Sequence, residues 1–158
     1  MNEKELAQKA ELLELIEGIV VYGVENQLNP AKSRVRLQKS LLQLYAFYVS
    51  ADLGLDDEEG KEFDRSAYAY VPENVKQNFP DFGYFKTFRD LHNLGDVQDV
   101  VVADAVEILT AIVYDMLETK WRIENNGVYN GFDFFDTCFR TRTQQQVIDL
   151  LNYMQVEG

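Results

Sequence analysis

VQDVVVADAVEILTAIVYDMLETKWRIE, residues 97–124, is the stretch whose reading decides the fold. It holds no Pro or Gly over roughly eight helical turns. At about 100° per residue, Val101, Ala105, Ile108, Leu109, Ile112, Val113, Met116 and Leu117 cover much more than half the helix circumference. Asp104, Glu107, Asp115, Glu118 and Arg122 line up as the one narrow polar strip. A helix so apolar must be wrapped on most sides, so the pattern predicts the central post of a helical bundle. Asp96 is placed to cap it, Asp99 sits near its positive end, and Asn125-Asn126-Gly127 closes it.

Three further helical segments surround this post. Residues 3–24 form an amphipathic helix, with Leu6, Ala10, Leu13, Ile16, Val20 and Val24 at three- and four-residue steps. Gly18 and Gly23 in it mark close contact with a neighbour. Asn29-Pro30 is a cap followed by a first-turn proline, starting a helix that runs to about Ala51 and buries Leu37, Leu41, Leu44, Tyr45 and Tyr48. Its first turns carry Lys32, Arg34, Arg36 and Lys39 with no acid between them, against the helix dipole. Pairing with the glutamates of the first helix is the expected remedy; a small anion or acidic peptide is the alternative. The last helix runs from near Asn130 to Met154, with Phe132, Phe135, Phe139, Val147, Leu150 and Met154 on its apolar face. Arg142 falls at nearly the same angle as Phe139, so Arg142 or Arg140 is expected to bridge to Asp104, Glu107, Asp115 or Glu118.

Between the second and third main helices the pattern becomes irregular. Asp52 to Asp64 holds seven acids and one lysine, a net of −6, and reads as an exposed loop or frayed turn. Gly60 is out of register for a calcium loop. Residues 63–88 hold eight aromatics, with a short helix, PENVKQNF, between two X-Pro steps. These aromatics form a lid on one end of the bundle, or leave tyrosines such as Tyr68 and Tyr70 outward as partner anchors.

The totals bound the function. The chain is 158 residues long, enough for one domain (1–158) with a real core, and 46% hydrophobic residues exclude disorder. A net charge of −12 disfavours direct nucleic-acid binding and anionic membrane surfaces, and favours basic partners. Cys138 is the only cysteine, which excludes an internal disulfide. The N-terminus has no basic-then-apolar signal pattern and acids interrupt the post, so the protein is expected to be cytoplasmic. His92 is the only histidine, so multi-histidine zinc sites are excluded and LHNLGD matches no catalytic signature. Glu14 and Glu17 on the first helix, with Asp104 and Glu107 on the post, share the acidic-pair spacing by which helical nucleotide pyrophosphatases hold magnesium.

Three stretches, FPDFGYFKTFRDLHNLGD (79–96), DMLETKW (115–121) and FDFFDTCFRTRTQQQVIDLLNYM (132–154), resemble a bacterial family of small all-helical proteins catalogued as domain of unknown function 5063. The resemblance covers about the C-terminal half. Members carry a histidine-tryptophan-glycine run where this chain has Arg142-Thr143-Gln144. The resemblance implies a helical bundle and lends no activity.

The expectation is therefore an all-α, up-and-down bundle of four main helices, with short helices and an aromatic loop between helices two and three. Its leading role is a non-catalytic, immunity- or adaptor-like module that holds a basic protein through Asp56, Asp57, Glu58, Glu59, Tyr68 and Tyr70, with no cofactor. The alternatives are a magnesium-dependent pyrophosphatase-like hydrolase using Glu14, Glu17, Asp104 and Glu107, and a nucleic-acid mimic. Oligomeric state is open.

Overall fold

The computed structural model describes residues 1–26, 28–88 and 100–157. His92, Asp96 and Asp99 lie outside these, and with them the expected cap of the post. The described chain is mostly helical: α1 (Glu3–Val24), α2 (Pro30–Ser50), a 3-10 turn (Arg65–Tyr68), α3 (Val71–Asn78), β1 (Tyr84–Phe88), β2 (Val100–Asp104), α4 (Ala105–Asn125), α5 (Val128–Cys138) and α6 (Gln144–Glu157).

The central helix is shorter than its periodicity implies. Val100 to Asp104 form β2, which pairs antiparallel with β1 in the register Tyr84↔Asp104 to Phe88↔Val100. Consecutive valines fit a helical stripe and a strand equally well, and their branched Cβ favours the strand once aromatic-rich β1 is beside them. Asp104 is therefore the helix cap, accepting from the Val106 N–H at 2.9 Å, rather than a member of a polar strip. The stretch expected to be an aromatic loop thus contains half a hairpin. Phe85 of β1 stacks on Tyr153 of α6, and Tyr153 Oη accepts from the Gly83 N–H, which seats the hairpin on the helices.

α4 itself is wrapped as expected, with Ala105, Leu109, Ile112, Val113 and Met116 fully buried. It packs on α1, α3, α5 and α6, while α2 packs on α1 and α6. The α1 face is rotated from the simple reading: Leu12, Ile16, Ile19, Val20, Tyr22 and Gly23 are buried, whereas Leu6 and Val24 are exposed. Contact with α2, α3 and α4 together selects a broader face than one stripe of leucines indicates. A Cβ on Gly23 would lie 2.6 Å from a Val113 methyl, the close approach that its glycine permits.

Two asparagines of α3 complete the end of α1. Asn74 Nδ2 donates to the Gly23 carbonyl and Asn78 Nδ2 to those of Tyr22 and Glu25, so carbonyls left over at a helix C-terminus find donors inside the protein. Among the described residues no helix is long and apolar enough to cross a membrane.

The last helix is one rod with a defect. Cys138, Phe139 and Gln144 keep right-handed helical angles, and Phe139–Thr143 forms a π turn between α5 and α6. Phe135, Phe139, Thr143 and Val147 are all buried at successive steps of four. In an ideal α-helix each such step drifts by about 40° from the face. The wider π turn absorbs that drift, keeping Phe139 and Val147 on one core-facing side.

The turn from α4 to α5 is tight. Gly127 sits at φ +104°, and a Cβ on Gly131 would lie 2.8 Å from the backbone nitrogen of Ile123. Backbone cannot step aside as a side chain can. Gly131→Ala is therefore expected to lower unfolding stability by about 1–3 kcal/mol despite its better helix propensity, read as a shift of the urea midpoint. Gly18→Ala meets only the Ser40 hydroxyl, at 3.1 Å, and should be near neutral.

Candidate functional site

The polar strip of α4 is buried in its second half. Asp115 keeps 1% of its surface and Glu118 9%. Asp115 accepts two bonds from Arg142, Nε at 2.9 Å and Nη2 at 2.7 Å, a forked pairing that suits guanidinium and carboxylate. Arg65, from the 3-10 turn, donates to Asp115 at 3.1 Å and to Glu118 at 3.3 Å. Glu118 accepts in turn from Arg122 Nε and Nη2. Arg140 turns elsewhere, to Asp136 at 3.7 Å, because the exposed side of the rod carries it away from α4.

This network reaches a cleft. Arg122 lies over the Phe134 ring at 4.6 Å and donates to Asn130 Oδ1. Asn130 Nδ2 donates to the Glu58 carbonyl at 2.8 Å. Asn126 grips Lys61 on both backbone groups, accepting from its N–H at 2.9 Å and donating to its C=O at 3.0 Å. The acidic segment is an exposed loop, one of the two forms expected, and it is clamped at two points by side chains of the α4–α5 corner. Gly54 and Gly60 allow the approach, since a Cβ would strike Tyr129 and Asn126 respectively.

Between the clamped loop and α5 lies a concavity of about 430 Å³, with Asp57, Glu58, Glu59 and Glu62 on one wall and Asp133, Phe134 and Thr137 on the other. Arg122 and Asn130 form its base. Burial, and then the charges of Asp57, Asp136 and Asp56, push the Asp133 carboxyl above its usual range. Carboxylates held this close repel, and a cation entering between them would relieve that repulsion. Asp56 does a structural job, accepting from the Glu58 N–H. Asp133, Phe134 and Asn130, beside Arg122 of the polar strip, are functional candidates that sequence reasoning missed. Their only local signal is an acid and an asparagine on the aromatic run NGFDFFD.

Tyr68 and Tyr70 continue from the loop through Phe63, with ring centroids 5.6 Å and 6.1 Å apart in succession. Tyr68 is packed down by Phe63, while Tyr70 is 45% exposed. Tyr84 on the hairpin, 77% exposed, is more open than either. The carboxylates offered for magnesium do not gather. Glu17 pairs with Lys120, Asp104 caps α4, and Glu14 and Glu107 are exposed. Among the described residues no group of three or more histidine, cysteine or acidic side chains is arranged to hold a metal ion. The basic run of α2 is not neutralised by the first helix. Among the described residues Lys32, Arg36 and Lys39 have no ion-pair partner, and Arg34 donates to the Met154 carbonyl.

Cys138 Sγ is buried beside Arg142, which donates to it at 3.2 Å. Burial foremost, then the Asp115 charge, pushes the thiol up to about 12, so it is a neutral packing group rather than a nucleophile.

Two outcomes are expected. Asp115→Ala leaves Arg142 without its forked acceptor and should cost about 3–5 kcal/mol of unfolding stability, whereas Asp115→Leu combined with Arg142→Met recovers most of that loss. Cys138 holds its proton in the folded state up to about 12 but releases it near 9 when unfolded. The folded state then binds the extra proton, so stability contributed by this group falls as pH rises above about 9. That component should vanish in Cys138→Ala, and native Cys138 should resist a disulfide reagent at pH 8 until denaturant is added.

Comparison with protein-family models, with curated proteins and with solved structures finds no match for this chain.

Proposed function

We propose that the protein is a non-catalytic binding module whose acidic cleft receives a lysine or arginine side chain of a basic protein partner. The observation that carries this reading is the clamped loop: its backbone is held at Glu58 and Lys61, so that four acidic residues line the open concavity opposite Asp133. A loop ordered before binding loses little further conformational freedom when a partner arrives, which favours affinity. Phe134 and Asn130 stand beside the acids, held in place by Arg122, and the carboxylates opposite supply the acceptors for a guanidinium or ammonium group. Tyr70 and Tyr84 supply outlying exposed rings of the kind that anchor protein contacts.

In this reading Asp57, Glu58 and Glu59 act together with Asp133, while Asp56 shapes the loop. The module is soluble and cytoplasmic, and α1, α2, α4 and the α5–α6 rod serve as the four members of an up-and-down bundle. Their contacts form a closed ring, α1 to α2, α2 to α6, α6 to α4 and α4 to α1. The likeness to the family of unknown function bears on this architecture alone. Neither a hydrolase nor a nucleic-acid mimic is favoured by a specific observation. Of the carboxylates proposed for magnesium, Glu17 and Asp104 serve separate structural roles and Glu14 and Glu107 are exposed apart from them, and five of the acids line one cleft.

Asp133→Asn separates a binding role from a structural one. Because the folded state raises the Asp133 carboxyl, that group's ionisation opposes folding, increasingly as pH rises through its titration. The amide variant should therefore unfold at a slightly higher denaturant midpoint than the parent. The same variant should weaken capture of an arginine-containing basic peptide by about tenfold at low salt, as a close charge pair would. Glu107→Gln, an equal change of charge at an exposed position of α4, is the control and should leave binding unchanged. Equal weakening by both variants, or no salt-dependent binding by the parent, would remove the proposal.

A further inference from the structure

The uncompensated cations of α2 lead to a second concavity, on the α1–α2 side of the molecule. Lys32, Arg36 and Lys39 recur at steps of four and three and so share one helix face. They line an opening of about 370 Å³ whose remaining walls contain no carboxylate. Its apolar lining comes from Val21, Tyr22 and Leu28. In a chain of net charge −12, three cations without an ion-pair partner among the described residues and without an acid in the lining are an unusual local excess. Lys32 also works against the fold, because it stands in the first turn of α2, where the helix dipole is positive. A bound anion would offset both the mutual repulsion and the dipole.

A second, independent observation points the same way. Ser33 is only 4% exposed and lines this opening, yet its hydroxyl has no hydrogen-bond partner among the described residues. The residue borders the groove, where a ligand oxygen can bond to the hydroxyl. The far end is bounded by charge. Past Gly18 and Ser40 the surface continues into a depression that carries Glu11 and Glu14, which repel an anion and confine it to the basic end.

We infer that this groove binds a small organic polyanion with an apolar ring, the chemistry of a nucleoside polyphosphate. The number of charges follows from geometry: Lys32 and Lys39 are seven residues apart, about 10 Å along the helix, too far for one phosphate to contact both ends of the row. A chain of phosphates spans the three cations, with the leading oxygens near Ser33. The ring lies on Val21 and Leu28, the half-buried apolar residues of the lining. The groove shares none of its lining with the acidic cleft, so either site can fail without the other.

Calorimetric titration of the full chain with ATP, tripolyphosphate and adenosine, without magnesium, tests this. ATP is expected to bind at least about tenfold more tightly than either fragment, with affinity falling as salt rises. Lys32→Gln/Arg36→Gln/Lys39→Gln should abolish the binding, and Ser33→Ala should weaken it several-fold. Asp133→Asn should leave it unchanged. The three cations are exposed, so the triple variant is expected to keep its circular dichroism and urea midpoint. Tripolyphosphate binding as well as ATP would reduce the site to diffuse charge attraction and overturn the inference. So would binding that survives the triple variant, or no binding of ATP at millimolar concentration. A glutamate-rich peptide that occupies the groove while ATP does not would likewise overturn it, in favour of a protein ligand.

Discussion

One buried carboxylate ties three separate parts of the chain together: α4, the 3-10 turn and the π turn. Asp115 gives up nearly all contact with water, a transfer that is unfavourable unless charge and hydrogen bonds replace the lost hydration. Two arginines from distant segments and the Thr143 hydroxyl provide that replacement. Arg142 comes from the π turn and Arg65 from the turn after the acidic loop, so the segments are fixed to α4 by the same ion. Hydrophobic burial alone would hold α5 and α6 against α4 with some freedom to slide. A forked ion pair at 2.7–2.9 Å does not slide. It specifies one register between two helices whose apolar faces, rich in Phe, Val and Leu, would tolerate several.

From that ion the constraint passes outward in single steps. Arg65 joins Asp115 to Glu118, Glu118 orients Arg122, Arg122 bonds to Asn130, and Asn130 holds the Glu58 carbonyl. Each link is a hydrogen bond to a charged group or to backbone, and each end is partly shielded from water, where such bonds keep more of their strength. The consequence is an acidic loop that stays put although its own charges repel. Repulsion among Asp57, Glu58, Glu59 and Glu62 would by itself favour an extended, mobile segment. Asn126 and Asn130 hold the loop backbone in place against that repulsion.

Local signals in the sequence locate some helix ends, because caps depend on a few adjacent residues, but not the start of α4, which lies at Ala105 rather than near Val97. Asn29-Pro30 starts α2 and Asn126-Gly127 ends α4 as their chemistry requires. What adjacent residues do not decide is less legible. The valines at 100–102 fit both periods, and only the aromatic strand opposite them selects β structure. The π turn cannot be read from FRTRT, since it answers to the spacing of Phe139, Thr143 and Val147 against a core assembled by other helices. Asp115 and Arg142 stand out as polar residues in apolar company, and a pairing follows from burial cost. Arg65, 50 residues before Asp115, carries no such mark. The acids of 56–59 are visible as a cluster, but Asp133 across the cleft is not, because the wall it completes exists only once α5 has packed beneath the loop.

Net charge and local charge answer different questions in this molecule. A total of −12 describes how the whole chain meets a distant partner, and at that range an anion is repelled. Within about 8 Å at physiological ionic strength, the nearest groups dominate instead. Lys32, Arg36 and Lys39 line one groove with no acid among them, while five carboxylates line the cleft beside Arg122 and Lys61. Separating the two signs into different concavities costs the attraction that mixed ion pairs would give, and α2 bears that cost at its positive end. A surface selected for solubility alone would intersperse the signs, as the Lys120–Glu17 and Lys4–Asp52 pairs do elsewhere on the chain. The segregation is therefore the feature that calls for a functional cause, and it places the two candidate sites where that cause would act.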